Sequence, residues 1–238
     1  MSQQQSKKSE NQVHRKYNMR YAKDFCERKI FWQKISWVVL LIVFCFFYKL
    51  KINGRETIPK TRFIVAPNHV CYFDPFLVAY ATQKPLAYMA KKELFESSRL
   101  GALMLDELAA FAVNREQLEI STMKTVKEVF KTKDWSLGIF PEGGIRKTKS
   151  IGKITKGFAV IAKAAKCDIL PVAIVGLEQY NWNPLKKKSV DVTIGTPISH
   201  ELEIDEIVEQ WRRQITDMNG YTLIDLTEQQ EQKETVTV

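Results

Sequence analysis

The stretch Arg62–Thr82 reads RFIVAPNHVCYFDPFLVAYAT and joins three kinds of local structure. Its first residues, Arg62–Ala66, are a short apolar run typical of a buried strand. A loop follows, and Pro75 then stands where proline commonly begins a helix, which we expect to continue to Thr82. This succession of strand, loop and helix is the building unit of sheets whose strands run parallel.

The same alternation of short apolar runs and amphipathic runs continues after Gly54. Strands separated by helices of this length predict an α/β fold with a mostly parallel central sheet that helices cover. Glu203–Met218 predicts a terminal helix. The other predicted strands are Leu108–Val113, Ser136–Phe140, Asp168–Val175 and Val190–Ile194, and the other predicted helices are Leu118–Lys131 and Ile154–Lys166.

An apolar run precedes the α/β part of the chain. Ile35 to Tyr48 are fourteen residues without a charge, and Lys34 and Lys49 stand on either side. A spanning helix needs about 20 apolar residues, so this run is too short unless Ile30–Trp32 is added. The flanking cations and aromatic residues favour a membrane-associated helix, and a buried core helix is the alternative. Whether such a helix spans the bilayer or lies in one leaflet stays open.

The net charge of +9 is unevenly distributed. Residues 1–51 contain 11 Lys and Arg against 3 Asp and Glu, and residues 52–200 contain 22 against 14, whereas residues 201–238 contain 3 against 10. A basic surface attracts anionic lipid, nucleic acid and phosphorylated substrates alike. We expect a basic arm with the apolar helix in 1–51, a catalytic domain in 52–218 and an acidic, polar tail without fixed structure in 219–238.

A histidine and an aspartate follow the first predicted strand. The loop between His69 and Asp74 can bring the carboxylate to Nδ1 of the imidazole and leave Nε2 to take a proton from a hydroxyl. Taken alone, such a pair is more often structural than catalytic. Cys71 is a candidate nucleophile, although neighbouring positions at a strand end rarely let a thiol face an imidazole. The four cysteines, Cys26, Cys45, Cys71 and Cys167, lie far apart, which argues against a zinc site or a disulfide scaffold.

Two later strand ends also carry charged residues. Phe111–Arg115 ends in a guanidinium, which either grips a phosphate or points to solvent from the next helix. Gly138–Lys147 runs from a strand into an acid, two glycines and bases. Gly143 and Gly144 permit a turn whose N–H groups face an anion, and Glu142 either holds substrate hydroxyls or braces the loop. The stretch lacks the spacing of a nucleotide-binding loop.

Together these blocks resemble the glycerolipid acyltransferase family. The resemblance covers roughly residues 53–196 and rests on four motifs in the family's order. There is one departure: family members often continue Phe-Pro-Glu-Gly with Thr-Arg, whereas here Gly144 and Ile145 follow and Arg146 comes one position later. The motifs are matched by Asn68, His69 and Asp74, by Phe111–Arg115, by Phe140–Gly143, and by Leu170–Val172.

The resemblance implies an acyltransferase at the cytoplasmic face of a membrane. A fatty acyl group would pass from acyl-CoA or acyl-carrier protein to the sn-2 hydroxyl of 1-acyl-glycerol-3-phosphate, with no metal and no further cofactor. It implies His69 as general base and Asp74 as the orienting acid. The substrate-binding residues that it implies are Asn68, Arg115, Glu142, Gly143, Gly144 and Arg146.

Other interpretations remain open at this stage. Glycerol-3-phosphate or another lysolipid, such as a lyso-aminolipid, is an alternative acceptor, because the motifs are shared among these enzymes. A non-catalytic basic module that binds an anionic membrane surface is a second class of function. Nucleic acid is not expected as a partner, because no RNP-type motif accompanies the basic charge. The GxSxG elbow of serine hydrolases is also missing from the sequence.

Overall fold

Strands and helices alternate through most of the chain. The structure is a computed structural model that describes residues 17–114, 119–181 and 183–223. The strands are β1 (Tyr48–Asn53), β2 (Ile64–Pro67), β3 (Leu86–Lys91), β4 (Phe111–Val113), β5 (Ser136–Gly138), β6 (Ser150–Ile151), β7 (Ile169–Val175), β8 (Lys188–Ile194) and β9 (Thr222–Leu223). The helices are α1 (Glu27–Phe47), α2 (Asp74–Thr82), α3 (Lys92–Glu96), α4 (Arg99–Glu107), α5 (Ile120–Lys131), α6 (Gly157–Ala165) and α7 (Ile204–Asn219).

Seven of these strands form the central sheet, in the order β1-β8-β7-β2-β5-β3-β4. Strands β7, β2, β5, β3 and β4 run parallel to one another. Strand β8 runs antiparallel to β7, and β1 is parallel to β8. The remaining strands, β6 and β9, pair with each other. The α/β fold with a mostly parallel sheet, which the sequence predicts, is therefore confirmed.

The middle of the sheet is buried on both faces. Every residue of β2 and of β5 is buried, which is the pattern of a parallel sheet with helices on both sides. Trp211 of α7 is also fully buried. Its indole N–H donates to the Ala66 carbonyl at 2.8 Å, so the terminal helix is tied to the strand that precedes His69.

The strand predicted at Leu108–Val113 begins only at Phe111. The residues before it end helix α4, where the N–H of Ala110 donates to the Leu105 carbonyl at 2.8 Å. Ala109 has a φ of 61°, the left-handed conformation that glycine usually adopts after a helix. Because alanine gives no such signal, the sequence does not predict this helix end or helix α4. Strand β3 is likewise not predicted.

Pro171 lies in β7, an interior strand, and not at the strand edge or bulge that its missing N–H suggests. It pairs with Ala66 of β2 on one side, and on the other side its carbonyl accepts the N–H of Gly195 at 2.9 Å. The antiparallel pairing with β8 begins at Val172 opposite Ile194. The missing N–H of Pro171 therefore falls at the end of the β8 ladder, where the sheet tolerates it.

The apolar helix α1 lies against α2 and α4. It begins at Glu27, earlier than predicted, and is 21 residues long. By length and composition alone it could cross a bilayer. One face of the helix is buried and the opposite face is exposed, so it is not the fully buried core helix considered from the sequence. The buried face consists of Lys29, Gln33, Trp37, Leu40 and Phe44, and the exposed apolar side chains are Phe31, Trp32, Ile35, Val38, Val39, Ile42 and Phe46.

Gln33 fixes α1 to the rest of the protein through three hydrogen bonds. Its side-chain NH₂ donates to the carbonyls of Leu86 at 2.7 Å and Leu108 at 2.8 Å. Its Oε1 accepts the N–H of Leu86 at 3.1 Å. One turn earlier, Lys29 donates to the Asp106 carboxylate at 2.7 Å. These buried polar contacts define which face of α1 can turn towards the protein.

The segments expected from charge do not coincide with structural boundaries. Residue 51 lies within β1, which pairs with β8 along its whole length. At the other end, Asn219 belongs to α7 and Thr222–Leu223 form β9. The tail expected at 219–238 therefore begins with structured residues, and from residue 224 onwards it lies outside the described residues.

We predict that replacing Gln33 by leucine destabilises the fold. Gln33→Leu leaves both backbone groups of Leu86 and the carbonyl of Leu108 without their partner, and a buried unpaired group costs about 1–3 kcal/mol. We expect the free energy of unfolding in a urea titration to fall by roughly 2–4 kcal/mol. Lys34→Ala, on the exposed side of α1, should change it by less than about 0.5 kcal/mol. Equal stability of the two variants would contradict this role of Gln33.

Candidate active site

Those predicted site residues that the structure describes lie at the edge of the sheet where β2, β3, β4 and β5 end. These four strands are parallel, so the loops after them lie side by side, and ligands bind at such edges. Asn68 and His69 follow β2, and Glu142 follows β5. The N–H of His69 donates to Oε1 of Glu142 at 3.2 Å, which joins the two loops directly.

His69 and Asp74 form a hydrogen-bonded pair. Nδ1 of His69 lies 2.8 Å from Oδ2 of Asp74. The carboxylate is fully buried, whereas the imidazole is 14% exposed. Because an ionised carboxylate only accepts hydrogen bonds, Nδ1 is the donor and Nε2 is the ring nitrogen left to accept a proton. The geometry suits a general base with an orienting acid.

The Asp74 carboxylate has donors on both of its oxygens. Besides the imidazole, Oδ2 accepts the backbone N–H groups of Val70 at 2.7 Å and Cys71 at 2.8 Å. Oδ1 accepts the thiol of Cys71 at 3.1 Å. Asp74 is also the first residue of α2, where the helix dipole favours a negative charge. A buried charge requires such compensation.

Cys71 is placed as a hydrogen-bond donor and does not fit the nucleophile role considered from the sequence. Burial raises the pKa of its thiol far above the ordinary value, and the Asp74 carboxylate raises it further. Because the thiolate is the reactive form of cysteine, this site disfavours nucleophilic attack. Sγ also accepts the N–H of Phe73 at 3.3 Å, so the thiol links the carboxylate to the loop around it.

The plane of the His69 ring is set by a stack of aromatic rings. The ring centroids of His69 and Phe140 lie 4.0 Å apart, with an interplanar angle of 25°. Tyr88 stacks on Phe140 at 6.0 Å, and its hydroxyl donates to the Pro75 carbonyl at 2.6 Å. Burial raises the pKa of Tyr88. A side chain at Gly138 would come within 2.3 Å of the Tyr88 ring, so glycine allows this close approach.

Glu142 braces the loop, which is one of the two roles considered from the sequence. Its side chain is 3% exposed, and Oε2 accepts the N–H of Gly152 at 3.2 Å, while Oε1 accepts that of His69. Burial raises the pKa of Glu142, although the two N–H groups oppose this rise. Arg146 lies beside it, with Nε 3.7 Å from Oε2 and a side chain that is 34% exposed. About a third of the Arg146 side chain is thus open to solvent, and its guanidinium lies against Gly152.

Asn68 holds two strand ends together. Its Oδ1 accepts the N–H of Ile174 at 2.7 Å, and its Nδ2 donates to the Ile174 carbonyl at 2.9 Å. Asn68 is fully buried. This position favours a structural role over the predicted substrate contact, because the side chain has no exposed surface to offer a ligand.

The two glycines of the third motif differ in their surroundings. Gly143 has a φ of 68°, and its N–H donates to the Phe140 carbonyl at 3.0 Å. Gly144 is exposed and lines the cavity beside His69. Arg115, the cation predicted to bind phosphate, lies outside the described residues.

A cavity of about 470 Å³ lies beside His69. Helix α1 contributes one wall of it through Gln33, Ser36 and Trp37, and Lys91 at the end of β3 adds a positive charge. The apolar helix is therefore part of the site, which its separation from the motifs in the sequence does not indicate. Other lining residues are Tyr72, Phe76, Tyr88, Leu108, Phe140 and Ile145.

A second cavity, of about 490 Å³, adjoins the first. Both are lined by Ser36, Phe76 and Leu108. The second lies between α1 and α4, where its lining includes Trp32 and Met104, two of the exposed apolar residues. Apolar space thus extends from His69 towards the exposed side of α1.

We predict that the thiol of Cys71 contributes measurably to stability. Cys71→Ala removes the donor to Oδ1 of Asp74, and an unsatisfied buried acceptor costs about 1–3 kcal/mol. Cys71→Ser is the matched control, because it loses the sulfur but keeps a donor. We expect the alanine variant to unfold at lower urea concentration than the serine variant. Coincident unfolding curves of the two variants would contradict the hydrogen bond.

Comparison with known proteins bears on what this site does. Residues 49–175 match the family model described as acyltransferase. A 1-acyl-sn-glycerol-3-phosphate acyltransferase of Streptococcus pneumoniae (strain ATCC BAA-255 / R6) is 30% identical over 173 residues, which are 71% of this chain and 63% of that protein. A protein of the same name from Bacillus subtilis (strain 168) is 29% identical over 151 residues, which are 63% of this chain and 73% of that protein. The chain thus spans less than two thirds of the first relative's length.

A solved structure shares the fold. The crystal structure of the 1-acyl-sn-glycerophosphate (LPA) acyltransferase from Thermotoga maritima matches with a TM-score of 0.61 and 19% identity, covering 80% of this chain and 81% of that chain. The family match runs from β1 to the end of β7 and includes His69, Asp74 and Glu142. Because this match takes in more than half of the sequence, the chain belongs to the acyltransferase family.

Proposed function

We propose that the protein transfers a fatty acyl group from an acyl thioester to the sn-2 hydroxyl of 1-acyl-glycerol-3-phosphate, which gives phosphatidic acid. The observation that carries the proposal is His69, whose Nδ1 is held by a buried carboxylate and whose ring lines a large, mainly apolar cavity. The names of the relatives from Streptococcus pneumoniae and Bacillus subtilis support this acceptor. The donor is acyl-CoA or acyl-carrier protein.

In the proposed reaction, His69 accepts one proton and later donates it again. Nε2 accepts the proton of the acceptor hydroxyl while the hydroxyl oxygen bonds to the thioester carbonyl carbon. The tetrahedral intermediate then breaks its C–S bond, and the imidazolium returns the proton to the leaving thiolate. Asp74 stays ionised and stabilises the imidazolium. General-base help of this kind contributes about 10²- to 10⁴-fold to the rate, and no covalent acyl-enzyme is required.

Basic residues close to His69 are suited to the acceptor phosphate: the N–H of Arg146 donates to the His69 carbonyl at 2.7 Å, and Lys91 lines the cavity. We assign the phosphate to Arg146 and Arg115, because a guanidinium can donate two parallel hydrogen bonds to it. Lys91 pairs with Val113 in the sheet, so Arg115 follows the strand next to the one that ends at Lys91. The N–H of Gly144 is our candidate donor to the carbonyl oxygen of the thioester, since the N–H of Gly143 already donates within the loop.

The two adjoining cavities suit fatty acyl chains. Their linings are mainly apolar, and they meet at Ser36, Phe76 and Leu108. We infer that the acyl chains of donor and acceptor occupy this space while their reacting groups meet at His69. Ligand pockets of proteins typically measure about 300–1,000 Å³, and either cavity falls within that range.

Glycerol-3-phosphate and lyso-aminolipids are the alternative acceptors, because the same base serves any of these hydroxyls. An acyl-transfer assay of the purified full chain with a panel of acceptors and both thioester donors distinguishes them. Preference for lysophosphatidate supports the proposal, and preference for another acceptor would replace it. Failure to acylate any acceptor with either donor would overturn the enzymatic function itself.

A second His–Asp pair in the chain provides a matched control for substitution of His69. Nδ1 of His200 lies 2.7 Å from Oδ1 of Asp168, at the opposite edge of the sheet. We expect His69→Ala to lower kcat by at least about 10²-fold, whereas His200→Ala keeps wild-type turnover. Circular dichroism confirms folding of both variants. Full activity of His69→Ala, or an equal loss in His200→Ala, would refute the assignment of the base.

We infer that the exposed face of α1 lies in lipid, on the cytoplasmic side of an anionic membrane. A row of exposed apolar side chains on a helix that is docked by its other face suits an interfacial helix. Basic residues attract such a helix to anionic lipid. Deleting the segment would not test this role cleanly, since Trp37, Leu40 and Phe44 are buried against the catalytic part.

Two substitutions on the exposed face provide a cleaner test. Val38 and Ile42 are 57% and 66% exposed and lie one turn apart. Transfer of each of these side chains from water into lipid is favourable by about 1.5 kcal/mol or more. Val38→Ser/Ile42→Ser should therefore lower the vesicle partition coefficient at least about tenfold. The measurement is vesicle flotation of the full chain. Unchanged flotation would contradict the lipid contact of α1.

A further inference from the structure

A loop at the C-terminal end of α1 carries an exposed leucine followed by three lysines. Residues 183–188 read Asn-Pro-Leu-Lys-Lys-Lys, come after β7 and end with Lys188, the first residue of β8; we call them the 183–188 tip. Leu185 is 93% exposed, and Lys186, Lys187 and Lys188 are exposed as well. An exposed leucine alone is ordinary. An apolar side chain with lysines directly beside it suits the boundary between acyl chains and headgroups.

The 183–188 tip is attached firmly to the end of α1. Nζ of Lys187 donates to the Cys45 carbonyl, in the last turn of the helix, at 2.6 Å. Asn181, which is 8% exposed, donates from Nδ2 to the carbonyls of Phe47 at 3.0 Å and Lys186 at 2.9 Å. Because one amide holds both segments, the tip and the helix end behave as a single unit. Any lipid that receives α1 therefore lies close to the tip.

Cations lie at both ends of α1. At the C-terminal end, exposed Lys49 of β1 pairs with Ser189, the residue that follows the tip. At the N-terminal end, Arg28 is 65% exposed and bridges to Glu107. A helix that crosses a bilayer places its ends at opposite surfaces, about 30 Å apart. The buried face of α1 extends from Lys29 to Phe44, so both ends of the helix are held against the same catalytic part and face a single surface together.

We propose that the 183–188 tip is a second lipid contact, which holds the C-terminal end of α1 at the same anionic leaflet as its N-terminal end. Helix α1 then lies along one leaflet and does not cross the bilayer. Leu185 enters the acyl-chain boundary, and the lysines face lipid phosphates. One element of the proposed function is assumed here, namely that the exposed face of α1 lies in lipid. It adds a fixed orientation of the His69 cavity relative to the membrane.

The test of the tip is binding of the full chain to phosphatidylcholine vesicles with and without phosphatidylglycerol. Lys186→Gln/Lys188→Gln leaves the Lys187 contact to α1 in place. We expect the partition coefficient to fall roughly 5- to 30-fold on anionic vesicles, and by less than about twofold on neutral ones. Leu185→Ser should weaken binding to both kinds of vesicle. The matched control, Lys124→Gln/Lys127→Gln, changes exposed residues within α5 and should bind like the wild type.

The outcomes separate the tip from the rest of the proposed function. If both tip variants bind vesicles like the wild type, the tip is not a lipid contact and the proposal is overturned. This conclusion holds even if weaker binding of Val38→Ser/Ile42→Ser shows that α1 itself binds lipid. Acyl transfer between a short-chain, water-soluble acceptor and thioester, measured without vesicles, should be unchanged in the tip variants. Loss of that activity would also overturn it, since the tip would then act on the active site or on folding.

The orientation of α1 is tested by thiol labelling on preformed vesicles. Glu27→Cys and Lys186→Cys place one thiol at each end of the helix, in a Cys26→Ser/Cys45→Ser background. A membrane-impermeant maleimide added outside should label both positions equally. Labelling of one end only, with the other end reacting after the vesicles are lysed, would mean that α1 crosses the bilayer.

Discussion

A carboxylate without contact to water needs donors from the protein, and the loop after β2 is arranged to supply them to Asp74. Two backbone N–H groups, a thiol and an imidazole converge on its oxygens, and α2 begins at the same residue. The chain from Val70 to Phe73 must turn tightly to do this. His69 is thereby placed at the mouth of the loop, with its ring against Phe140. Position and tautomer of the base therefore follow from burying one charge, while Phe140 sets the plane of its ring.

The apolar helix α1 has two faces of different character, one with buried polar contacts and one with exposed apolar side chains. On one face, Gln33 and Lys29 form buried polar contacts with the catalytic part, and on the other face large apolar side chains are exposed. The polar contacts select one rotational setting of a helix whose apolar residues alone would allow several. As a result Ser36 and Trp37 reach the His69 cavity. Anchoring to lipid, as we propose it, and completion of the active site are properties of the same helix.

Much of this could be predicted from the sequence, because the relevant signals are local. Strand β2, the start of α2 and the His69–Asp74 pair follow from an apolar run, a proline and a spacing of five residues. The polar docking of α1 could not be predicted, since the partners of Gln33 at Leu86 and Leu108 are distant in sequence. Strand β3, with Tyr88, is not predicted, although Pro85 directly precedes it. Asn68 and Glu142 lie where expected, but their engagement with backbone groups appears only in three dimensions.

Because α1 forms one wall of the cavity, the acceptor that we propose, with its long acyl chain, has a mainly apolar route to His69. With the exposed face of α1 in lipid, the supply of substrate becomes two-dimensional. The quantity that saturates the enzyme is then the mole fraction of lysolipid in the leaflet, and not its amount per volume of solution. Adding inert lipid at constant total substrate would slow such an enzyme by surface dilution, whereas a purely aqueous enzyme would be indifferent to it.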